Sequence, residues 1–338
     1  MMKKKVFIIA EVGVNHNGSV DNAIQMIDVA CEAGVDAVKF QTFKAELLVT
    51  GTLEKEAYQL EYSGDSETQF DMLKKYELSE EATIRLKGYA LQKGLEFIST
   101  PYDMESADFL ESIDVKRFKI GAGEINDLPF LDYVARKGKP IILSTGASFL
   151  DEVKEAVSVI ERHNTSLSLL HCTSSYPSPM SDVNLNAMKT MMEEFSYPIG
   201  YSDHTTGLTA SIAAVAIGAS IIERHFTLDK NMDGPDHKAS LCPQELKQLV
   251  VCIREVETLL GSSDKRPCPS ESETISKGRR SLFSACDISK GETVREEMLV
   301  TKRPGTGMAP RMYWELLGKR SKIEIKADTM LVPDYFEG

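Results

Sequence analysis

Eight short apolar runs recur along the first three-quarters of this chain, and nearly every one ends in a polar, chemically capable side chain. In order they are VFIIAE, closing on Glu11; AVKFQ, with Lys39 and Gln41; LEFIST, at Thr100; and VKRFKIG, with Lys119. Then come PIILST, at Ser144; LSLLHCT, at His171; PIGYSDH, with Ser202 and His204; and SIIERHF, with Glu223 and His225. Stretches of helical length and composition separate most of them. A strand buried on both faces reads as a continuous apolar run, the mark of a parallel sheet covered by helices. The repetition therefore predicts an α/β fold, a (β/α)8 TIM barrel, in which functional groups gather at the carboxyl ends of the strands. It places the chain among enzymes before any single motif is considered.

Local signals agree. Asn17-Gly18-Ser19 supplies a turn and an N-cap for a helix over 20–33, which closes at Gly34. The connection from Thr42 to Glu77 is longer than usual and is expected to be functional. A helix over 79–93 follows, and strand–helix alternation continues to about Leu260. GSSDKRPCPSESE then breaks the pattern and reads as a linker. Short strands punctuated by Gly and Pro follow, with a short helix near Tyr313–Leu317. The expected organisation is a barrel over 1–262, a linker over 263–278 and a small, mostly β module over 279–338.

Composition removes several classes of function. A net charge of −12 argues against a general nucleic-acid binder, because phosphate backbones demand basic surface. Only the last module leans the other way, with 11 Lys and Arg against 9 Asp and Glu over 279–338. No apolar run approaches the roughly 20 residues that span a bilayer, and the run after MMKKK stops at Glu11, too short for a signal peptide. Six cysteines without CxxC pairing fit reduced thiols better than a disulfide framework or a zinc site. A soluble cytoplasmic protein is expected, with neither nucleic acid nor membrane as partner.

Several groups carry chemistry. His204 and His225 stand at adjacent strand ends, which are neighbours in a closed barrel. Two imidazoles there read as ligands of one divalent metal or as an acid–base pair, against the alternative of two hydrogen-bonded core histidines. They are too few for a closed zinc site of four ligands, so water and substrate would complete the shell. Lys39 and Lys119 interrupt apolar strands. A lysine aimed into a barrel mouth is costly unless it meets an anion or forms a Schiff base. With Thr100 and Ser144 at neighbouring strand ends, the pair makes a phosphate or carboxylate cradle, and Gly121-Ala122-Gly123 would bring backbone N–H groups to an oxyanion. Outward-facing lysines are the alternative. Glu11 and Glu124 are the carboxylates best placed for proton transfer or for binding the hydroxyls of a polyol. Asp236 in GPDHKAS, Tyr176-Pro177 and Gly13-Val14-Asn15-His16 are strand-end loop features.

Taken together, AEVGVNHNG, AVKFQTFKA, STPYD, FKIGAGEIN, ILSTG, LLHCTSSYP, GYSDHT, IIERHFTLDK, GPDHKAS and KRPGTG resemble the sialic acid (N-acylneuraminate) synthase family over essentially the whole chain. The resemblance implies a TIM barrel followed by a SAF domain similar to type III antifreeze proteins, assembled as a domain-swapped homodimer. It implies condensation of phosphoenolpyruvate with an N-acyl-mannosamine-type sugar (an N-acylated hexosamine) and release of phosphate by C–O cleavage, giving a nine-carbon 2-keto sugar acid. It assigns His204 and His225 to a divalent metal, Mn2+ or Mg2+. It assigns Lys39, Thr100, Lys119, Ser144 and Ser202 to phosphoenolpyruvate, and Gln41, Tyr176 and Asp236 to the sugar. Glu11 and Glu124 match carboxylates near the reacting carbons, and Arg303 matches an arginine reaching in from a second subunit.

Three positions depart from the family pattern. Ala122 stands where many members have Ser, Ser174 replaces an Asn, and Arg279 occupies the place of an aromatic that packs over the sugar in some N-acetylneuraminate-forming members. The activity implied first is that of an N-acetylneuraminate synthase. A legionaminic acid synthase using 2,4-diacetamido-2,4,6-trideoxymannose is the alternative, ahead of a Schiff-base aldolase acting through Lys39 or Lys119. A carbohydrate- or ice-binding protein would have no use for the histidine pair, the lysines and the carboxylates.

Overall fold

A computed structural model describes residues 5–55, 68–163 and 166–337. The central part of the long Thr42–Glu77 connection, 56–67, lies outside the described residues, as does most of the basic N-terminal MMKKK. Two compact units divide the chain, Met1–Gly261 and Ser262–Gly338.

The eight apolar runs form the strands of the first unit. They are β1 Phe7–Gly13, β2 Ala37–Thr42, β3 Glu96–Pro101, β4 Phe118–Ile120, β5 Ile141–Ser144, β6 Leu167–Cys172, β7 Ile199–Asp203 and β8 Ile221–His225. They pair in the order β3-β2-β1-β8-β7-β6-β5-β4, with neighbouring strands parallel. β3 and β4 lie side by side at the two ends of that ladder, which brings the sheet round into a barrel. The helices are α1 Val20–Ala33, α2 Ala45–Leu48, α3 Gln69–Tyr76, α4 Glu80–Gln92 and α5 Met104–Ser112, then α6 Leu128–Arg136, α7 Leu150–Glu161, α8 Asn186–Glu194, α9 Thr209–Ile217 and α10 Pro243–Leu259. α1 shows the local logic. The Ser19 hydroxyl accepts from the Asn22 N–H at its start, and Gly34 at φ +81° ends it in a left-handed turn that residues with a Cβ resist.

Alternation along the strands sorts the side chains. Residues Ile8, Ala10 and Val12 of β1 face the helix layer and join the large core between sheet and helices. Their neighbours face the barrel axis, where Ile9, Ala37, Ile98, Ile142, Leu170 and Ile221 pack into an apolar ring. Gly200 completes it from β7, for a Cβ there would lie 2.6 Å from Leu170 Cδ2 and 2.6 Å from the Ile221 carbonyl oxygen. Because side chains on one strand face recur every second residue, the next inward position carries Glu11, Lys39, Thr100, Ser144, Cys172, Ser202 and Glu223. A polar ring thus sits directly on an apolar one. The position above that carries Gln41, Tyr102, Ser174, His204 and His225, and all of these line one cavity.

The outward face of β7 and β8 holds a buried ion pair. Arg224 lies 2.7 Å from Asp203, and Asp203 also accepts from the Ser211 hydroxyl and the Thr205 N–H. Arg224 donates in addition to the Thr205 carbonyl, so the turn that carries His204 is fixed from behind.

In the second unit, β9 Ser281–Ser284 and β10 Leu299–Lys302 form an antiparallel pair, and isolated bridges at Phe283–Met330, Ile288–Ile325 and Thr293–Arg320 extend it. Leu282, Ile288, Met298, Leu316, Ile325 and Leu331 are among its own core. The short helix α11 is Tyr313–Leu316. The stretch 263–278, expected as a linker, carries helical turns at Pro269–Glu271 and Thr274–Gly278. The Gly305 N–H donates to the Ser276 carbonyl, and that tertiary contact belongs to no periodic pattern. Among the described residues no helix is long and apolar enough to cross a membrane.

Candidate active site

A cavity of about 550 Å3 opens at the carboxyl ends of the barrel strands, in the size range of small-molecule sites. Twelve of the thirteen residues expected at the site line it; the exception is Arg303, which is exposed on the second unit.

The floor is a charge cluster. Lys39 Nζ sits 2.8 Å from Glu11 Oε2 and 3.8 Å from Glu223 Oε1. Lys119 Nζ lies 3.7 Å from the same Glu223 oxygen and donates to the Ser144 hydroxyl at 2.7 Å and to the Ile120 carbonyl at 3.1 Å. Lys39 also lies 3.4 Å from the Thr100 hydroxyl, and Ser202 donates to Glu223 at 3.1 Å. Both lysines therefore point inward, and the alternative of outward-facing stems is excluded. Glu223 is the residue that bridges them. Sequence reasoning marked it only as a strand-end residue, although it stands two positions before His225 on the same face of β8.

Burial and charge set the protonation of this cluster. Burial raises Glu11 to about 7, only partly opposed by Lys39. Glu124 is likewise raised to about 7 by burial, with Lys119 opposing. Burial also pushes Glu223 up, but Lys119 and Lys39 together outweigh it and hold this carboxyl below its ordinary value. Burial opposes the charge on Lys39, yet Glu11 and Glu223 more than compensate and keep it firmly protonated. Burial wins at Lys119, which is lowered. Asp236 is raised to about 6 by burial alone.

The rim carries the imidazoles. Their ring centroids are 5.5 Å apart, and the Tyr176 ring lies 4.2 Å from His204 and 5.7 Å from His225. His204 Nδ1 is 2.8 Å from the Thr173 carbonyl, which can only accept, so the proton is on Nδ1 and the Nε2 lone pair is left for the cavity. His225 Nδ1 is buried without a hydrogen-bond partner and is 3.9 Å from Asp236. Burial lowers both histidines, His204 to about 4, so both are neutral at pH 7. Two neutral imidazoles with open lone pairs suit a metal site whose other positions go to water and substrate. Among the described residues no group of three or more His, Cys, Asp or Glu side chains gathers in ligating geometry, as a closed structural site would require.

Further buried oxygens wait on the cavity: one of Glu124 and one of Glu223 have no hydrogen-bond partner. Orphaned polar atoms at this density mark a site made for a polar ligand. The departures Ala122 and Ser174 line the same cavity.

A NeuB family model matches residues 26–265, and a SAF domain model matches residues 279–337. The chain belongs to the NeuB family. Among its relatives, the N,N'-diacetyllegionaminic acid synthase of Legionella pneumophila is 47% identical over 98% of this chain and 94% of that protein. The protein of the same name from Campylobacter jejuni is 45% identical over 97% and 99%. The solved N-acetylneuraminic acid (sialic acid) synthetase of Leptospira borgpetersenii is 35% identical, with a TM-score of 0.72 over 80% of this chain and 90% of that one. The resemblance drawn from strand-end motifs is thus the family itself, and its TIM barrel and SAF domain are those of sialic-acid-synthase-type NeuB proteins.

The barrel also brings to the cavity residues that no strand-end motif singles out as site residues: Glu223, Tyr102, Cys172 and the apolar group Val14, Leu48, Val49, Met72 and Leu73. The period-two pattern would have found the first three. The apolar group stands on loop segments and short helices outside that pattern.

Proposed function

We propose that this chain is a phosphoenolpyruvate-dependent transferase that condenses phosphoenolpyruvate and water with an N-acylated mannose-type sugar, giving a nine-carbon 2-keto sugar acid and phosphate. The acceptor is 2,4-diacetamido-2,4,6-trideoxymannose in preference to N-acetylmannosamine, a reading supported by two relatives, 47% and 45% identical, that carry the legionaminic name. The resemblance alone ranked these acceptors the other way. The observation that supports the chemistry best is the stacking of two inward lysines beneath two neutral imidazoles in one cavity.

C3 of phosphoenolpyruvate forms a bond to the aldehyde carbon of the open-chain sugar, whose oxygen takes up a proton. Water adds at C2, and the C2–O bond to phosphate then breaks, leaving a ketone. Lys39 and Lys119 hold the anionic ends of phosphoenolpyruvate, with Thr100, Ser144 and Ser202 as hydroxyl partners, and so fix C3 against the acceptor. Glu11 and Glu124, each raised by burial to about 7, can exchange a proton at neutral pH, one toward the aldehyde oxygen and one from the entering water. His204 and His225 would hold Mn2+ or Mg2+, which when bound supplies Lewis acidity toward a carbonyl oxygen. Gln41, Tyr176 and Asp236 orient the sugar.

Charge accounting supports a cation. Four carboxyl groups, Glu11, Glu124, Glu223 and Asp236, face two lysines in the cavity that must admit a multiply charged anion. Protons on the raised carboxyls, a divalent ion and an arginine from a second copy would each reduce the repulsion. Arg303 of one chain serving the barrel of another, in a homodimer, belongs to this reading. So does residence in the cytoplasm, which six unpaired cysteines favour.

Phosphate release measured with phosphoenolpyruvate, each acceptor and Mn2+ or Mg2+ tests the proposal. Release is expected only when acceptor and ion are both present, with kcat/KM higher for the trideoxy sugar. EDTA-resistant turnover with an adduct trapped by borohydride would overturn it in favour of Schiff-base chemistry.

A further inference from the structure

The cavity is polar at the strand ends and apolar on one wall. That wall is supplied by α2, α3 and the residues beside them. Leu48 and Val49 come from the end of α2, and Gln69, Met72, Leu73 and Tyr76 from α3. The α3 positions are i, i+3, i+4 and i+7, a single face of the helix. On a surface helix that stripe would be expected to sink into a core. Here it lines the cavity, with Leu73 and Leu48 only half-buried.

Polar ties fasten the wall in place. A Glu77 carboxylate oxygen accepts from the Ala45 N–H at 2.6 Å, and Lys74 joins Glu46 at 2.8 Å and Glu77 at 2.9 Å, locking α2 to α3. Thr68 and Asp71 close a reciprocal capping box at the start of α3, and Lys44 pairs with Glu105 of α5 at 2.5 Å. The apolar surface is therefore preformed and need not be assembled by the sugar.

We infer that this wall discriminates among acceptor sugars, receiving the deoxygenated C6 methyl and an acyl methyl of the substrate. The inference rests on the proposed function. Phosphoenolpyruvate is held at the charged floor and the aldehyde reacts near the imidazoles, so the distal carbons of the acceptor extend toward the wall of α2 and α3, where Leu48, Val49, Met72 and Leu73 present alkyl surface beside Gln69 and Tyr76. A methyl group is at home there. A hydroxymethyl group would turn its hydroxyl toward Leu48, Val49 and Leu73, which offer no side-chain hydrogen-bond partner. One added or missing methyl in an apolar pocket discriminates by about 10- to 200-fold.

The experiment compares kcat/KM for 2,4-diacetamido-2,4,6-trideoxymannose and N-acetylmannosamine at saturating phosphoenolpyruvate, in the wild type and in Leu73→Asn, Leu48→Ser and Leu73→Met. The expected result is a fall of about tenfold or more in the ratio of trideoxy to N-acetylmannosamine turnover for Leu73→Asn and Leu48→Ser. Leu73→Met keeps the ratio, and the KM for phosphoenolpyruvate stays within about twofold in all three. An unchanged ratio in both polar variants, or an equal fall for both sugars, overturns the inference. Two sites keep the test decisive if one variant fails to fold. Failure of the underlying reading looks different: the wild type itself would then release no phosphate with either sugar.

Discussion

Glu124 holds one carboxylate oxygen buried without a partner, and burial raises its pKa to about 7. The folded chain therefore binds a proton that the unfolded chain has already released between pH 4.5 and 7, so the group costs stability increasingly as pH rises through that window. Glu124→Gln is expected to leave stability unchanged near pH 4.5 and to raise it at pH 8, by on the order of 1 kcal/mol of unfolding free energy after allowance for partial exposure. Thermal denaturation at the two pH values checks this, and kcat/KM of the same variant should lose an inflection near neutrality. His225→Ala is expected to lower ion-dependent phosphate release by at least about 100-fold with an unchanged circular dichroism spectrum, since it removes one of the two imidazoles assigned to the ion. The inward residues were legible because a polar group at the end of an apolar strand has few structural uses. Glu223 carries the same strand-end mark, two positions before His225 on β8, but its bridging role comes from lysines on two other strands, and partners distant in sequence leave no local trace.

Two loops are latched to one another above the site. Asn15 donates to the Phe226 carbonyl and to the Ser240 hydroxyl, which in turn donates to the Asp236 carbonyl. Asn17 donates to the Asp233 carbonyl, leaving its Oδ1 to accept from His237 Nε2 at 3.1 Å while His237 Nδ1 lies 2.7 Å from the Thr227 hydroxyl. The loop after β1 thereby positions the loop that carries Asp236. Asn17→Ala strands a buried imidazole N–H, at a cost of about 1–3 kcal/mol. The expected outcome is a lower Tm and a KM for the acceptor that rises more than the KM for phosphoenolpyruvate, read by calorimetry and steady-state kinetics. At this scale the sequence was informative wherever caps and periodicity act locally, as at Ser19 and Gly34 around α1. It was silent on the turns at 269–278, where a contact with Gly305 adds to the local pattern, and on the use of α3, whose stripe faces a cavity rather than a core.

For the whole molecule, the proposed exchange of Arg303 between copies has a quantitative consequence. An Arg303→Ala chain retains its barrel, and a His225→Ala chain retains its arginine, so each homodimer should be nearly inactive. Unfolding and refolding the two together at equal amounts forms heterodimers with one complete site, and phosphate release is expected to recover to about one quarter of the wild-type rate. No recovery in heterodimers confirmed by mass would remove the arginine from the site. The barrel itself was legible from repetition, because eight similar apolar runs require a closed parallel arrangement far more specifically than any one of them does. The order of the units along the chain could be read from composition, whereas a site shared between copies leaves no periodic trace.

The alkyl ring beneath the charged floor makes the site a vessel closed at the bottom. That ring offers no polar group to pass water or protons from below, so both reach the charged floor from the strand-end side. With the proposed substrates seated there, few exchangeable protons would remain beside Glu11 and Glu124. Any proton that either gave up would depart on the sugar acid or the phosphate, or return to a neighbouring carboxylate. The reaction would run on a sealed proton inventory, reset by solvent only when products leave.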